Sequence, residues 1–110
     1  MPLALARNEL VYFIGTDSPS GPDKIFTYNP ATNVTSTLYT SSSNMHLINI
    51  DVDSQGNYYV TAEGTTAPYS NFIFRNGNVL LQTSNPSENF WDVFVDQYDV
   101  LYYSKTNRGF

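Results

Sequence analysis

The chain has 110 residues, of which 41% are hydrophobic, 15% aromatic and only 14% charged. This length fits one small domain or part of a larger one, and the apolar content is too high for a disordered chain. The net charge of −5 and the five scattered basic residues argue against a nucleic-acid partner, because phosphate binding needs clustered Lys and Arg. The absence of cysteine excludes a disulfide framework; it fits a cytosolic protein as well as a secreted one, of which we favour the second.

The predicted elements are all strands, because Tyr, Phe, Val, Ile and Leu alternate with polar residues and no stretch has a helical period. Residues 1–7 are too short for a signal peptide, and nothing approaches a membrane span, so no membrane partner is expected. In chain order the predicted strands lie at about 3–5, 10–13, 25–28, 34–40, 48–52, 58–60, 72–75, 79–83, 90–95 and 99–104.

These strands belong to an internal repeat. The segment 52–60 aligns with 95–103 at a shift of 43 residues and with 5–13 at a shift of 47. Each copy is an alternating apolar run, a polar turn and an aromatic-rich run. Further along the unit, residues 25–28 align with 72–75.

The repeat predicts an all-β protein of antiparallel four-stranded units. We interpret 1–110 as a single β domain with blade-like units at about 2–43 and 44–86 and a half unit at 87–110. Four-stranded units recurring every ~40–50 residues are typical of β-propeller blades. The alternative is a β-sandwich or barrel, which also has short strands separated by regular turns.

Two and a half blades cannot close a ring, so the partner predicted for this chain is either the remainder of a longer propeller or other copies of itself. The half unit at 87–110 has the first two strands of a blade and needs the third and fourth. A second copy would begin with another first and second strand, so two copies do not complete the blade. We therefore expect the chain to be a piece of a longer propeller.

The segment 53–60 has the form Asp-x-x-Gly-Asn-x-Tyr-Val, with Tyr59 and Val60 at its end. This turn resembles the turn between inner strands in NHL-repeat and gluconolactonase-like six-bladed propellers. Residues 89–94 are similar to a segment of insect ommochrome-binding propellers, which are secreted pigment carriers. The first resemblance implies a propeller blade. Gluconolactonase-like enzymes also hold a divalent metal, but no acidic residue of this sequence matches their ligand motifs. We therefore predict no metal ligand and no cofactor.

The candidate ligand-binding residues precede or begin two inner strands, where propeller loops reach the channel mouth. They are Trp91, Asn89 and Asp92 in one unit and His46 and Asn44 one unit earlier. Trp91 could stack on a sugar ring or pigment, whereas its match with Ile48 favours packing between blades. A lone histidine is more often a hydrogen-bonded loop residue than a ligand. No Cys or Ser motif would make it a catalytic base, and there is no second His to share a metal.

Asp51 and Asp53 lie two residues apart on one strand, so both side chains point to one face and could hold a cation. We favour the alternative that Asp53 caps backbone N–H groups in its turn, since Asp96 repeats it in the next unit.

The preferred function is a non-catalytic binding module, a propeller segment that presents loops to a small molecule, glycan or protein. The alternatives are a fragment of a metal-dependent gluconolactonase-like hydrolase and a scaffold. No residue is predicted to be catalytic.

Overall fold

A computed structural model describes residues 3–5, 9–83 and 88–107, and its regular elements are all strands. They are β1 (Leu3–Leu5), β2 (Val11–Gly15), β3 (Lys24–Asn29), β4 (Val34–Thr40), β5 (Met45–Val52), β6 (Tyr58–Gly64), β7 (Asn71–Arg75), β8 (Asn78–Thr83), β9 (Glu88–Val95) and β10 (Leu101–Asn107). Residues 6–8 of the first repeat copy, the predicted unit boundary at 86–87 and residue 110 lie outside the described residues.

The strands form three antiparallel sheets. Sheet 1 has the order β1-β2-β3-β4, sheet 2 the order β5-β6-β7-β8, and sheet 3 contains β9 and β10. The predicted all-β class and four-stranded antiparallel units are confirmed, and the described strands close no barrel. Within the described ranges there is also no helix that is long and apolar enough to cross a membrane.

The repeat extends to individual hydrogen bonds in the turns after β5 and β9. The Asp53 carboxylate accepts the N–H groups of Gln55 and Asn57, each at 2.9 Å. At the positions 43 residues later, Asp96 accepts the N–H groups of Tyr98 and Val100 at 2.8 and 3.0 Å. These carboxylates hold the turn closed, as Asp side chains do when they bond to the backbone two residues on.

The same turn requires a left-handed backbone at its tip. Gly56 has φ +84°, and the residues that correspond to it, Asp99 and Glu9, have φ +64° and +65°. Glycine adopts this conformation without a steric cost, whereas the other two residues bear one. These three equivalent positions are therefore all left-handed, although only the second is occupied by glycine.

A β-bulge also recurs in the first strand of sheets 2 and 3. It lies between Leu47 and Asn49 in β5, where the Asn49 N–H donates to Thr61 Oγ1 at 3.1 Å. In sheet 3 the Asp92 N–H donates to Ser104 Oγ at the same distance. A hydroxyl on the second strand thus replaces the ladder bond that the bulge removes.

The structure corrects one detail of the sequence alignment. Ile25 is paired with Ile14, and Ile73 is paired with Thr61, which matches Ile14 at the shift of 47. Ile25 therefore corresponds to Ile73 and not to Phe72, so the predicted match of 25–28 with 72–75 is wrong by one residue. Both isoleucines are fully buried. The difference matters because a slip of one residue moves every side chain to the other face of the sheet.

Each sheet has two different faces. The face of sheet 2 that carries Ile50 and Val60, here called the front face, packs on Ala4, Tyr12 and Ile14 of sheet 1. The opposite or back face, which carries Thr61 and Ile73, packs on Phe90 and Val93 of sheet 3. The faces of sheets 1 and 3 take the same names, according to the residues that match these four positions in the repeat. The two cores are thus formed in the same way, a back face against the front face of the next sheet.

Candidate functional site

His46 lies at the start of β5 and is hydrogen-bonded to the segment before β3. Its Nδ1 atom is 2.9 Å from Asp23 Oδ2, and the same oxygen accepts the Leu47 N–H at 2.9 Å. The His46 side chain is 58% exposed, whereas that of Asp23 is 18% exposed. This contact ties sheet 2 to the segment before β3 of sheet 1. His46 thus makes a structural hydrogen bond, which the sequence analysis weighed against a role in ligand binding.

Asn44 lies in the loop before β5. Its Oδ1 accepts the Ser42 hydroxyl at 2.8 Å, and its carbonyl accepts the Thr65 N–H at 2.9 Å. It borders a cavity of about 130 Å³ that Thr66, Pro68 and Phe72 also line. Asn44 and His46 are close in the chain, but the contacts of each are made with different loops.

Trp91, Asn89 and Asp92 lie on β9, next to sheet 2. Asn49 Nδ2 donates to the Trp91 carbonyl at 2.9 Å and to Asp92 Oδ1 at 2.7 Å. The Thr61 hydroxyl donates to the same carbonyl at 2.9 Å. Asn89 is only 1% exposed. These polar groups hold sheet 3 against sheet 2, and Trp91 accepts both of these hydrogen bonds through its backbone carbonyl.

Thr61 is the residue of this junction that the sequence reasoning missed. It is fully buried, and its hydroxyl both accepts the Asn49 N–H and donates to Trp91. A signal was present, because Ser104 stands 43 residues later, so that two of the three copies of the repeat have a hydroxyl at this position. A buried hydroxyl with two partners is costly to remove, since its partners would lose their hydrogen bonds.

Four aspartates border a cavity of about 340 Å³ beside the turns of sheets 2 and 3. Asp51 joins the two sheets, because its Oδ1 accepts the Val52 N–H and its Oδ2 accepts the Val95 N–H at 2.7 Å. Asp99 accepts both the N–H and the hydroxyl of Ser54. The cavity is lined by Leu5, Asp51, Val52, Asp53, Ser54, Phe94, Val95, Asp96, Gln97 and Asp99.

These carboxylates serve as acceptors for the protein's own donors. No group of three or more His, Cys, Asp or Glu side chains that could hold a metal ion occurs in the described part of the chain. The preference for a capping role of Asp53 and Asp96 over a cation site agrees with their bonds to the turns.

The electrostatics of Asp53 follow from its surroundings. Burial of the carboxylate raises its pKa, but the hydrogen bonds from the Asn57 side chain and N–H, the Gln55 N–H and the Tyr59 hydroxyl together lower the pKa below the usual value. At Asp96 the N–H of Val100 is the largest cause of a lowered pKa. The hydroxyl of Tyr102 donates to Asp96, which raises the pKa of the tyrosine.

We therefore expect an acid-dependent loss of stability. A carboxyl group whose pKa is lowered in the folded chain stabilises it fully above the unfolded pKa near 3.8, and this contribution is lost as the pH falls from there through the folded pKa. Urea unfolding between neutral and acid pH will measure it. The free-energy difference between wild type and Asp53→Asn should shrink as the pH falls; a difference that is the same at every pH would contradict the expectation.

The back face of sheet 3 is open and aromatic. Phe94 and Tyr102 lie directly opposite each other on β9 and β10, with ring centroids 6.1 Å apart, and are 59% and 52% exposed. A shallow groove of about 180 Å³ runs over this face, lined by Asp92, Val93, Phe94, Tyr102, Tyr103 and Ser104.

Comparison of the chain with protein-family models, with curated proteins and with solved structures gives no match. The resemblance of the turn at 53–60 to NHL-repeat and gluconolactonase-like propellers therefore stays a prediction.

Proposed function

We propose that this chain is a non-catalytic binding module, a propeller-like segment of stacked sheets that binds a protein through the back face of sheet 3. One observation carries the proposal. The positions of Phe94 and Tyr102 are occupied in sheet 1 by Ala4 and Tyr12, which are 6% and 5% exposed because sheet 2 covers them. The same face in sheet 3 carries phenylalanine in place of the alanine, keeps the tyrosine, and is open.

The chemistry of the open face favours a protein over a small molecule. Protein interfaces are enriched in aromatic residues, and contiguous exposed apolar patches mark interaction sites. The groove beside Phe94 and Tyr102 is shallow and nearly all apolar, with Ser104 and Asp92 at its border. Small-molecule sites are deeper and enclose most of their ligand.

The chemistry of the acidic residues supports a non-catalytic role. General acid–base work needs carboxyl groups with pKa values near the working pH, and such groups have raised pKa values. The pKa values of Asp53 and Asp96 are shifted in the opposite direction, downwards. Their oxygens are bound to turn N–H groups and tyrosine hydroxyls.

Photo-crosslinking tests this function. We expect p-benzoylphenylalanine in place of Phe94 to give protein adducts when the purified chain is irradiated alone or in a lysate of expressing cells. The same group in place of Tyr69, which is 51% exposed, provides the control for an exposed aromatic position outside this face.

Adducts at position 94 with a different protein should fall when excess wild-type chain is added, because the wild type competes for that partner, and excess Phe94→Lys chain should not compete. Adducts of the chain with itself should not fall, because each added copy is a further partner. Equal yields at positions 94 and 69, or adducts with a different protein that the wild type does not displace, would contradict binding through this face.

A further inference from the structure

The chain contains the same contact between sheets twice. The back face of sheet 1 packs on the front face of sheet 2, and the back face of sheet 2 packs on the front face of sheet 3. The repeat therefore specifies what covers a back face, namely the front face of another sheet of the same kind. Thr61 of sheet 2 donates to the Trp91 carbonyl in β9, the strand that covers sheet 2. Ser104 is the equivalent of Thr61 in sheet 3.

A front face without a cover is also present on sheet 1. Leu3 and Leu5 alternate with the buried Ala4, so they lie on the face of sheet 1 that points away from sheet 2. They are 61% and 69% exposed. Their equivalents in sheet 2, Ile50 and Val52, are 6% and 8% exposed because sheet 1 packs on them.

The open part of the front face ends at Phe13, which is half-buried, and at Phe26, which is buried. Phe13 is paired with Leu3 on one side and with Phe26 on the other, and the two rings stack with centroids 5.2 Å apart. Leu3, Leu5 and Phe13 thus form an apolar strip across β1 and β2. Its equivalent in sheet 2, formed by Ile50, Val52 and Val60, lies in the core with sheet 1.

We infer that a second copy of this chain binds with the front face of its sheet 1 on the back face of sheet 3. Inside the chain, a back face packs twice on the front face of another sheet. The molecule has one open back face and one open front face, so two copies can make the same kind of contact. Such a contact joins two different surfaces, so it is heterologous and repeats from copy to copy until a ring closes or an open chain of copies grows. This inference rests on the proposed function, since it names the protein that binds sheet 3.

Two variants that each block one face test the inference. Phe94→Lys places a charge in the back face of sheet 3, and Leu3→Lys places one in the front face of sheet 1. Both positions are exposed in a single chain, so neither change removes core packing. Tyr69→Lys is the matched control, and circular dichroism checks that all three chains keep their strands.

Light scattering over a range of protein concentrations gives the masses. Wild type and Tyr69→Lys should exceed the mass of one chain, and each blocked variant should associate at least about tenfold more weakly. An equal mixture of Phe94→Lys and Leu3→Lys should form a species of twice the mass of one chain, because one intact front face and one intact back face remain. A symmetric dimer through either face would not predict this recovery.

The inference is overturned if the wild type keeps the mass of one chain at every concentration, or if the mixture does not associate. Photo-crosslinking at position 94 separates this failure from failure of the proposed function. Adducts with a different protein that the wild type displaces would leave the binding role of sheet 3 intact and reject the second copy as its partner.

Discussion

The Ile73→Ala chain is expected to unfold with a free energy about 3 kcal/mol below that of the wild type. Ile73 is fully buried on the back face of sheet 2, where it contacts the core formed with Phe90 and Val93. Removing its outer carbons loses apolar burial and leaves a cavity between two sheets that are held apart by their other side chains. Urea unfolding at one fixed protein concentration, followed by Trp91 fluorescence and circular dichroism, will measure the loss.

Two further variants control this measurement. Ile73→Val should lose only about 1 kcal/mol, because it removes a single methyl group. Val79→Ala, on the adjacent strand β8 but 53% exposed, should change the free energy of unfolding by less than about 1 kcal/mol. A loss at Ile73→Ala no larger than that at Val79→Ala would show that sheets 2 and 3 do not share a packed core in solution.

The second large effect is expected for Asp53→Ala, with a loss of about 2–4 kcal/mol. Asp53 is 7% exposed and accepts hydrogen bonds from the Gln55 and Asn57 N–H groups, the Asn57 side chain and the Tyr59 hydroxyl. Alanine leaves these donors without an acceptor, and unsatisfied donors away from water cost more than a lost hydrogen bond contributes. Thermal and urea unfolding will determine the loss.

Asp96→Ala is the matched comparison, because Asp96 makes the same turn bonds 43 residues later in a more exposed setting. Water can replace Asp96 as an acceptor, so its loss should be smaller than that of Asp53. Equal losses at the two positions would indicate that the turn itself, and not the burial of its donors, determines the cost.

The two effects concern the features on which the binding proposal depends. Ile73 keeps sheet 3 on sheet 2, and Asp53 fixes the turn after β5, whose Ser54 donates to Asp99 in the turn after β9. Loss of either should weaken crosslinking at position 94 only where it also unfolds the chain, because neither side chain lies on the open face. Measuring crosslinking and stability on the same samples therefore separates binding from folding.

The sequence was sufficient for the strands and for the turn that recurs. Alternating residues such as Val93 and Val95 predict a strand directly, because side chains of a strand alternate between two faces. The turn at Asp53 could be predicted together with its copy at Asp96, because a short-range bond from an Asp side chain to the backbone depends only on neighbouring residues.

The sequence was not sufficient for the register of β3 and β7. Both contain Ile next to Phe, so apolar residues occupy adjacent positions and alternation alone does not tell which of them points to which face. Pairing resolves this, because Ile25 lies opposite Ile14 and Ile73 opposite Thr61. A bulge after each isoleucine then shifts the partner strand by one residue, which no local pattern records.

The roles of the candidate residues were also decided by contacts between distant segments. His46 meets Asp23, Asn49 meets the backbone of Trp91, and Asp51 meets the N–H of Val95. Each of these contacts joins residues more than 20 positions apart in the chain, so spacing along the sequence could name the residues but not their partners. The face left open in sheet 3 was hidden for the same reason, since Phe94 and Tyr102 look like core residues until the neighbouring sheet is placed.

The sequence by itself thus determined the all-β class, the repeating unit and the turn chemistry, because these depend on the alternation and bonding of nearby residues. Only the tertiary structure decided which faces pack and which stay open, because packing depends on how whole sheets meet. Leu5 and Val52 occupy equivalent positions of the repeat, yet one is 69% exposed and the other 8%. Their difference comes from a neighbouring sheet, which sequence position alone does not specify.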